Sequence, residues 1–220
     1  LEVASNSIPL YGGSSLFIQF YSLPIIKLMN TFHSFVPLES KLTLQAWIDE
    51  LGVDLLITNP RKTKLGDFRV QKGKLFISIN NNLNPYSFLI TLTHELAHAF
   101  VYAKHSNKVL PHGKQWKAIF KAMLLNFLHL FPKDVNKELS LYLLNPKAST
   151  LTDIKLSTVL RQYDKQKGIT ISDILEGDNF RASNGKKFQK GKKLRKRFSC
   201  KEKYTNRVYL FHPLAEVSKI

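Results

Sequence analysis

Two histidines stand four residues apart in the segment His94-Glu95-Leu96-Ala97-His98. On an α-helix this spacing places both side chains on one face, one turn above the other, where their imidazoles can bind the same metal ion. Glu95 would then lie beside the metal, where its carboxylate can accept a proton from water instead of serving as a ligand. The residue types and their spacing therefore predict a zinc site with a general base.

A catalytic zinc has three protein ligands and one open position, so the chain must supply a third ligand. His105 follows His98 by seven residues, which on an unbroken helix is about 10 Å along the axis and out of reach of the same ion. His112 is better placed, because a polar segment with a proline precedes it and Gly113 lets the chain turn into the next helix. We therefore expect one Zn²⁺ per chain, held by His94, His98 and His112.

Patterns typical of helices and strands surround this motif. Asn84 can cap a helix and Pro85 fits a first turn, so a long helix is expected from there to about Tyr102. Apolar residues at helical spacing predict further helices over residues 37–52, 113–129, 133–144 and 151–163. Two β-like runs at 54–58 and 66–79, the second broken by Lys72-Gly73, predict a strand and a hairpin. Together these elements predict an α+β fold in which helices pack on a small β-sheet.

The positive charge of the chain is unevenly distributed. The 220 residues have a formal net charge of +17, from 33 Lys and Arg against 16 Asp and Glu. Twelve of the basic residues and one acid, Glu202, lie within residues 181–207.

The C-terminal region combines this charge with signals for β-hairpins. Asn184-Gly185 and Thr205-Asn206 are typical hairpin turns between short apolar runs. Phe188 and Phe198 could stack on unpaired bases, but packing in the core of a small β domain is the stronger expectation. The cations that we predict to contact a phosphate backbone are Lys186, Lys187, Lys190, Lys192, Lys193, Arg195, Lys196 and Arg197.

Cysteine content and hydropathy exclude several other classes of protein and of metal site. The single cysteine, Cys200, excludes an internal disulfide and a zinc site of four cysteines. The longest apolar stretch, residues 16–28, is interrupted by polar residues and a proline, and is shorter than the roughly 20 residues that span a bilayer. It is not typical of a signal peptide either. We expect no membrane segment and a cytoplasmic protein, nucleoid-associated if bacterial.

The histidine pattern resembles the SprT-like zinc metalloproteases, which include bacterial SprT proteins and the eukaryotic protease Spartan. Residues 94–99 read HELAHA, and fourteen residues after the second histidine His112-Gly113-Lys114-Gln115-Trp116 is similar to the family's His-Gly-x-x-aromatic motif at the start of the next helix. The likeness covers about residues 31–127 and includes a hairpin before the active helix. It implies a zincin-like core, zinc on His94, His98 and His112, Glu95 as general base, and hydrolysis of DNA-associated proteins.

This chain departs from the family at its C-terminus. Many SprT-like proteins end in a zinc ribbon with two pairs of cysteines, whereas only Cys200 is present here. We therefore expect a degenerate ribbon, packed around Tyr209 and Phe211, and no second zinc. The predicted organisation is an extension over 1–28, before the first methionine, an SprT-like domain over 29–167 and a small basic β-hairpin domain over 168–220.

The leading prediction is a zinc metalloendopeptidase that acts on nucleic-acid-associated proteins, and two alternatives stay open. One is a non-enzymatic nucleic-acid-binding protein whose zinc only fixes a helix pair. Such structural sites normally have four protein ligands, so His105 would have to supply the fourth. The other alternative is a zinc hydrolase that acts on a molecule smaller than a protein.

Overall fold

The computed structural model describes residues 32–61 and 63–220, so the predicted extension over residues 1–28 lies outside the described residues. Within these ranges the helices are α1 (Lys41–Leu51), α2 (Pro85–His105), α3 (Lys114–Leu125), α4 (Lys133–Tyr142) and α5 (Ile154–Arg161). The strands are β1 (Val53–Thr58), β2 (Gly66–Gln71), β3 (Lys74–Asn80), β4 (Ile169–Thr170), β5 (Asn179–Ala182), β6 (Lys187–Lys193), β7 (Phe198–Glu202), β8 (Val208–Phe211) and β9 (Glu216–Lys219). The α+β class and the five predicted helices are confirmed, with ends that differ by a few residues. None of the helices in the described ranges has the length and apolarity needed to cross a membrane.

The first sheet has the strand order β1-β3-β2, with β1 parallel and β2 antiparallel to β3. The turn between β2 and β3 consists of Lys72 and Gly73, whose φ angles are 48° and 77°. Positive φ at both central residues matches the right-handed twist of the strands, and glycine adopts it without strain. The predicted hairpin is confirmed, and β2 becomes an edge strand of this sheet.

Helix α2 is the centre of the first hydrophobic core. Its N-terminus is capped as predicted, because the Asn84 side-chain oxygen accepts a hydrogen bond from the Ser87 N–H at 2.9 Å. Leu89, Leu92 and Leu96 are fully buried, since α2 packs between the first sheet and α3. Each such side chain contributes about 1.5–3 kcal/mol to the free energy of unfolding. This burial holds the histidine motif on a rigid element.

The C-terminal region has its own sheet and its own core. Six antiparallel strands follow the order β4-β9-β5-β6-β7-β8, and the predicted hairpin turns connect β5 to β6 and β7 to β8. This sheet is larger than the predicted hairpin domain, because the chain returns after β8 and β9 pairs with both β4 and β5. The core contains Ile171, Ile174, Phe180, Phe188 and Cys200.

Cys200 is 1% exposed and belongs to this second core. Burial raises the pKa of its thiol, so the side chain is protonated and packs as a small apolar group. In the part of the chain that the structure describes, the metal-binding side chains that cluster together are three histidines, and Cys200 is not among them.

Candidate metal centre

His94, His98 and His112 direct their Nε2 atoms toward one another. The Nε2–Nε2 distances are 3.2 Å from His94 to His98, 3.0 Å from His98 to His112 and 3.2 Å from His112 to His94. The first two rings project from one face of α2, and the third comes from the loop just before α3. The three nitrogens thus form a nearly equilateral triangle.

This triangle fits a zinc ion. Two imidazole nitrogens bound to a tetrahedral zinc, each at about 2.0–2.1 Å, lie about 3.3 Å apart, close to the observed distances. Hydrogen bonds among the rings cannot replace the ion, because a ring nitrogen either donates or accepts and three converging nitrogens cannot all be satisfied. Imidazole is also a preferred zinc ligand. Among the described residues the cluster contains three ligands, which leaves one position of a tetrahedron open.

The surroundings keep all three rings neutral. Burial, with a smaller contribution from repulsion by the neighbouring rings, lowers the pKa of His94 to about 3 and that of His98 to about 4. Burial also lowers the pKa of His112. Neutral imidazole is the form that binds a metal, so the site is prepared for an ion at neutral pH.

Trp116 packs against all three rings. Its ring centroid lies 4.6 Å from that of His94, 5.4 Å from His98 and 4.8 Å from His112. Its indole N–H donates to the backbone oxygen of His94 at 3.3 Å. Because this large side chain is fully buried, it limits the rotation of the rings. Docking of α3 on α2 therefore sets the position of Trp116 and of the neighbouring His112 together.

Glu95 lines the same cleft as the three histidines. The side chain is 8% exposed, and its burial, with a smaller contribution from the charge of Asp67, raises its pKa to about 8. A hydrogen bond from the Phe68 N–H and the charges of Arg61 and Lys64 act in the opposite direction. A carboxyl group with a pKa close to neutrality can both accept and donate a proton at working pH.

Gly66 allows β2 to approach Glu95 closely. A Cβ atom at this position would lie 2.7 Å from Oε1 of Glu95 and 2.8 Å from Cγ2 of Thr91, which is well inside van der Waals contact. A side chain at this position would therefore require Glu95 and Thr91 to move. Gly66 was not among the predicted site residues, although a glycine within a strand often marks close backbone approach.

Asn80 holds the loop that leads into Gly66. Its Nδ2 donates to the backbone oxygen of Lys64 at 2.9 Å, and its Oδ1 accepts from Nε of Arg61 at 2.8 Å. Its backbone N–H also donates to the oxygen of Leu65 at 2.9 Å. Since Asn80 is 1% exposed, these hydrogen bonds are shielded from water, and they fix the start of β2 against the end of β3.

The histidines and Glu95 open into a cleft of about 650 Å³. One wall is the edge strand β2, from Gly66 to Val70, and the opposite wall is the loop between α2 and α3, from Ser106 to His112. His105 ends α2 and is not in the histidine cluster.

Seven of the eight predicted nucleic-acid-binding cations are exposed or partly exposed, three of them on β6 and four in the turns before and after it. Lys190 does not fit the prediction. Lys190 is 6% exposed, its Nζ donates to the backbone oxygen of Ile174, and it lies 4.3 Å from the ring centroid of Phe198. The strand directs this side chain to the core face, the same face as Phe188. Its charge is therefore held inside the domain and cannot contact a phosphate.

The outer face of the second sheet carries one predicted cation, Lys187, and two cations that were not predicted, Arg181 and Lys201. Arg181 on β5 lies directly opposite Lys187 on β6, and Lys201 on β7 lies opposite Gln189. Because their neighbours along each strand face the core, these side chains point outward. We define Arg181, Lys187 and Lys201 as the outer cationic row.

Comparison with known proteins supports the resemblance that the motif indicated. Residues 45–139 match the model of the SprT-like family. No curated protein and no solved structure matches the chain. The matched segment contains α2, His112 and Trp116, so the family resemblance is confirmed over the part of the chain that forms the site. The match suggests a metalloprotease-type function.

Proposed function

We propose, from this SprT-like segment and the histidine site within it, that the protein is a zinc-dependent endopeptidase with a zincin-like core. The observation that carries the proposal is the convergence of three neutral imidazoles beside a buried carboxyl group in one open cleft. A purely structural zinc would call for a fourth protein ligand, and the cluster has three among the described residues. An open fourth position instead supports catalysis.

The chain's own residues supply the proton transfers. A zinc ion bound by the three rings provides Lewis acidity, which polarises a carbonyl and makes water more acidic. Glu95 accepts a proton from the water that attacks the scissile carbonyl and donates a proton to the leaving amine. The contact with β2 holds this carboxyl group in position for both transfers.

The edge of β2 offers a place for the substrate backbone. The Phe68 N–H donates to Glu95, so it points away from β3. In an antiparallel pair the backbone groups of alternate residues share a direction, and Gly66 and Val70 therefore also direct theirs toward the cleft. An extended peptide can pair with these groups by strand addition, which places its backbone across the histidines.

Cleavage of an unfolded protein by the zinc-loaded chain tests the proposal. We expect new N-termini in mass spectra of the products, their loss after treatment with a chelator, and their return after addition of zinc. Metal-dependent hydrolysis of small amides or esters without any cleavage of proteins would contradict it and favour the small-molecule alternative.

Gly66→Ala tests the contact between β2 and Glu95. Because the added Cβ would overlap Oε1 of Glu95, we expect the carboxylate to move and kcat/KM for a peptide to fall by about 100-fold, the typical effect of a 1 Å misplacement. Zinc content should not change. Gln71→Ala, at the exposed end of the same strand, is the control, and equal activity of the two variants would contradict the assigned role of Gly66.

We also propose that the outer cationic row and the exposed cations of residues 186–197 bind the backbone of a nucleic acid, and that substrates are proteins associated with it. Arg181 and Lys187 are directly opposed like charges, a pairing that lowers the stability of a sheet by roughly 0.2–1 kcal/mol. A bound phosphate between them would remove this repulsion. The loss of Lys190 from the predicted set leaves the other seven cations, which are exposed or partly exposed.

The salt dependence of binding tests this surface. With about six phosphate contacts, log Kd for duplex DNA should change with log salt concentration with a slope of magnitude about 5, and Lys187→Ala should reduce that slope by about 1. Lys137→Ala, an exposed lysine on α4, should leave the slope unchanged. Absence of measurable binding at low salt in an electrophoretic or anisotropy titration would contradict the proposal.

A further inference from the structure

The chain has a second basic region, in residues 96–133. Six lysines and no aspartate or glutamate occur there, whereas the rest of residues 1–180 has fourteen basic and fourteen acidic residues. The region contains the second half of α2, His112 and α3. The net positive charge of residues 1–180 therefore comes from the part of the chain around the candidate metal centre.

Three of these lysines follow one face of α3. Lys114, Lys117 and Lys121 are three and four residues apart, so their side chains lie one above the other along the helix. We call them the α3 lysine row. Lys114 and Lys121 are exposed, and Lys117 is partly exposed. From its first to its last residue the row extends for about 10 Å.

The α3 lysine row borders the cleft without lining it. Lys114 follows His112 by two residues, and the Lys117 ammonium donates to the side-chain oxygen of Asn145 at 2.8 Å. Asn145 stands three residues before Ala148, which is part of the cleft wall. The three lysines themselves are not part of that wall. A partner of the row is therefore a molecule at the rim of the cleft and not the peptide inside it.

The row has no acidic partner in the part of the chain that the structure describes. The ion pairs there involve other lysines and arginines, and Lys117 is bonded to an uncharged amide. Like charges one turn apart lower the stability of a helix, and a cation in the first turn opposes the helix dipole. The first turn of α3 has no acid to offset this. A bound polyanion would remove the repulsion.

The spacing of the row fits the backbone of a nucleic acid. Each strand of a duplex has one phosphate for about 3.4 Å of helix axis, so about three phosphates lie along the roughly 10 Å of the row. Lysine ammonium groups are flexible point charges, which bind phosphates without reading the base sequence. An acidic protein is the alternative partner, but its surface has no regular charge spacing for the row to match.

From these observations we infer that the α3 lysine row is a second nucleic-acid contact, which holds the polymer at the rim of the cleft. The inference goes beyond the C-terminal surface proposed above and does not require peptidase activity. If the chain is a peptidase, a protein bound to the nucleic acid near the row is presented to the histidines.

Titration of the full, zinc-loaded chain with duplex DNA tests the row. We expect Lys114→Ala/Lys121→Ala to reduce the magnitude of the slope of log Kd against log salt concentration by about 2, one for each lost phosphate contact. Lys137→Ala/Lys155→Ala is the matched control, because it removes the same charge from exposed positions on α4 and α5, and it should leave the slope unchanged. The midpoint of thermal unfolding should not fall in the row variant, because the change removes repulsion within α3.

Photocrosslinking to DNA locates the contact without any substitution. We expect cross-links within residues 114–121 as well as within 181–207. Cross-links within 181–207 alone, or equal slopes for the two double variants, would overturn the inference and retain the C-terminal surface. A row variant that binds polyglutamate more weakly and DNA unchanged would also overturn it, in favour of an acidic protein partner. Cross-links and a slope change at the row in a chain that cleaves no protein would support the inference and refute the peptidase proposal.

Discussion

Replacing Glu95 by glutamine should lower kcat for peptide cleavage by about 10²–10⁴-fold, the usual contribution of a general acid–base residue. The amide has nearly the same shape, and its oxygen can still accept the hydrogen bond from the Phe68 N–H. It cannot accept the proton of the attacking water at neutral pH. The fold should therefore persist while the chemical step slows.

Zinc content distinguishes this loss from damage to the metal site. Glu95 is not in the cluster of converging ligand atoms, so Glu95→Gln should still bind about one zinc per chain, as measured by elemental analysis. Glu50→Gln is the control and should keep full activity, because Glu50 is an exposed residue at the end of α1. Retained cleavage in Glu95→Gln protein would rule out the proposed proton transfers.

The second large effect is expected from His112→Ala. Removing this ring leaves two imidazoles from α2 and takes away the ligand that closes the triangle. Changes to the outer partners of metal ligands already lower metal affinity or activity by about 10–100-fold, so loss of a ligand should weaken zinc binding by more than 100-fold. Zinc content after dialysis should fall from about one per chain to near zero, and peptide cleavage should be lost with it.

His105→Ala is the matched control for this prediction. Helix α2 continues without interruption to His105, which places that ring about 10 Å along the axis from His98. We expect the variant to retain its zinc and its activity. Loss of zinc from His105→Ala, together with retention in His112→Ala, would mean that another ligand set holds the ion.

Contacts within one helix, strand or turn could be predicted from the sequence. His94 and His98 share a face because an α-helix repeats every 3.6 residues, and Asn84 caps α2 because its side chain reaches an unpaired N–H at the helix start. The turn at Lys72-Gly73 followed from its backbone preferences in the same way. The burial of Lys190 could also have been predicted, because Lys190 lies two residues from Phe188 on one strand and its side chain is therefore on the same face.

The sequence by itself determined the residues on which the proposed chemistry rests: the candidate ligands, the candidate general base, the elements that carry them and the basic C-terminal region. Only the tertiary structure decided which separate elements meet, because packing between helices and strands depends on the fit of whole surfaces and not on a local repeat. It brought the ring of His112 to α2 through Trp116, and it allowed β2 to reach Glu95 at Gly66. Each of these contacts joins residues that are far apart in the chain, and no spacing rule relates them.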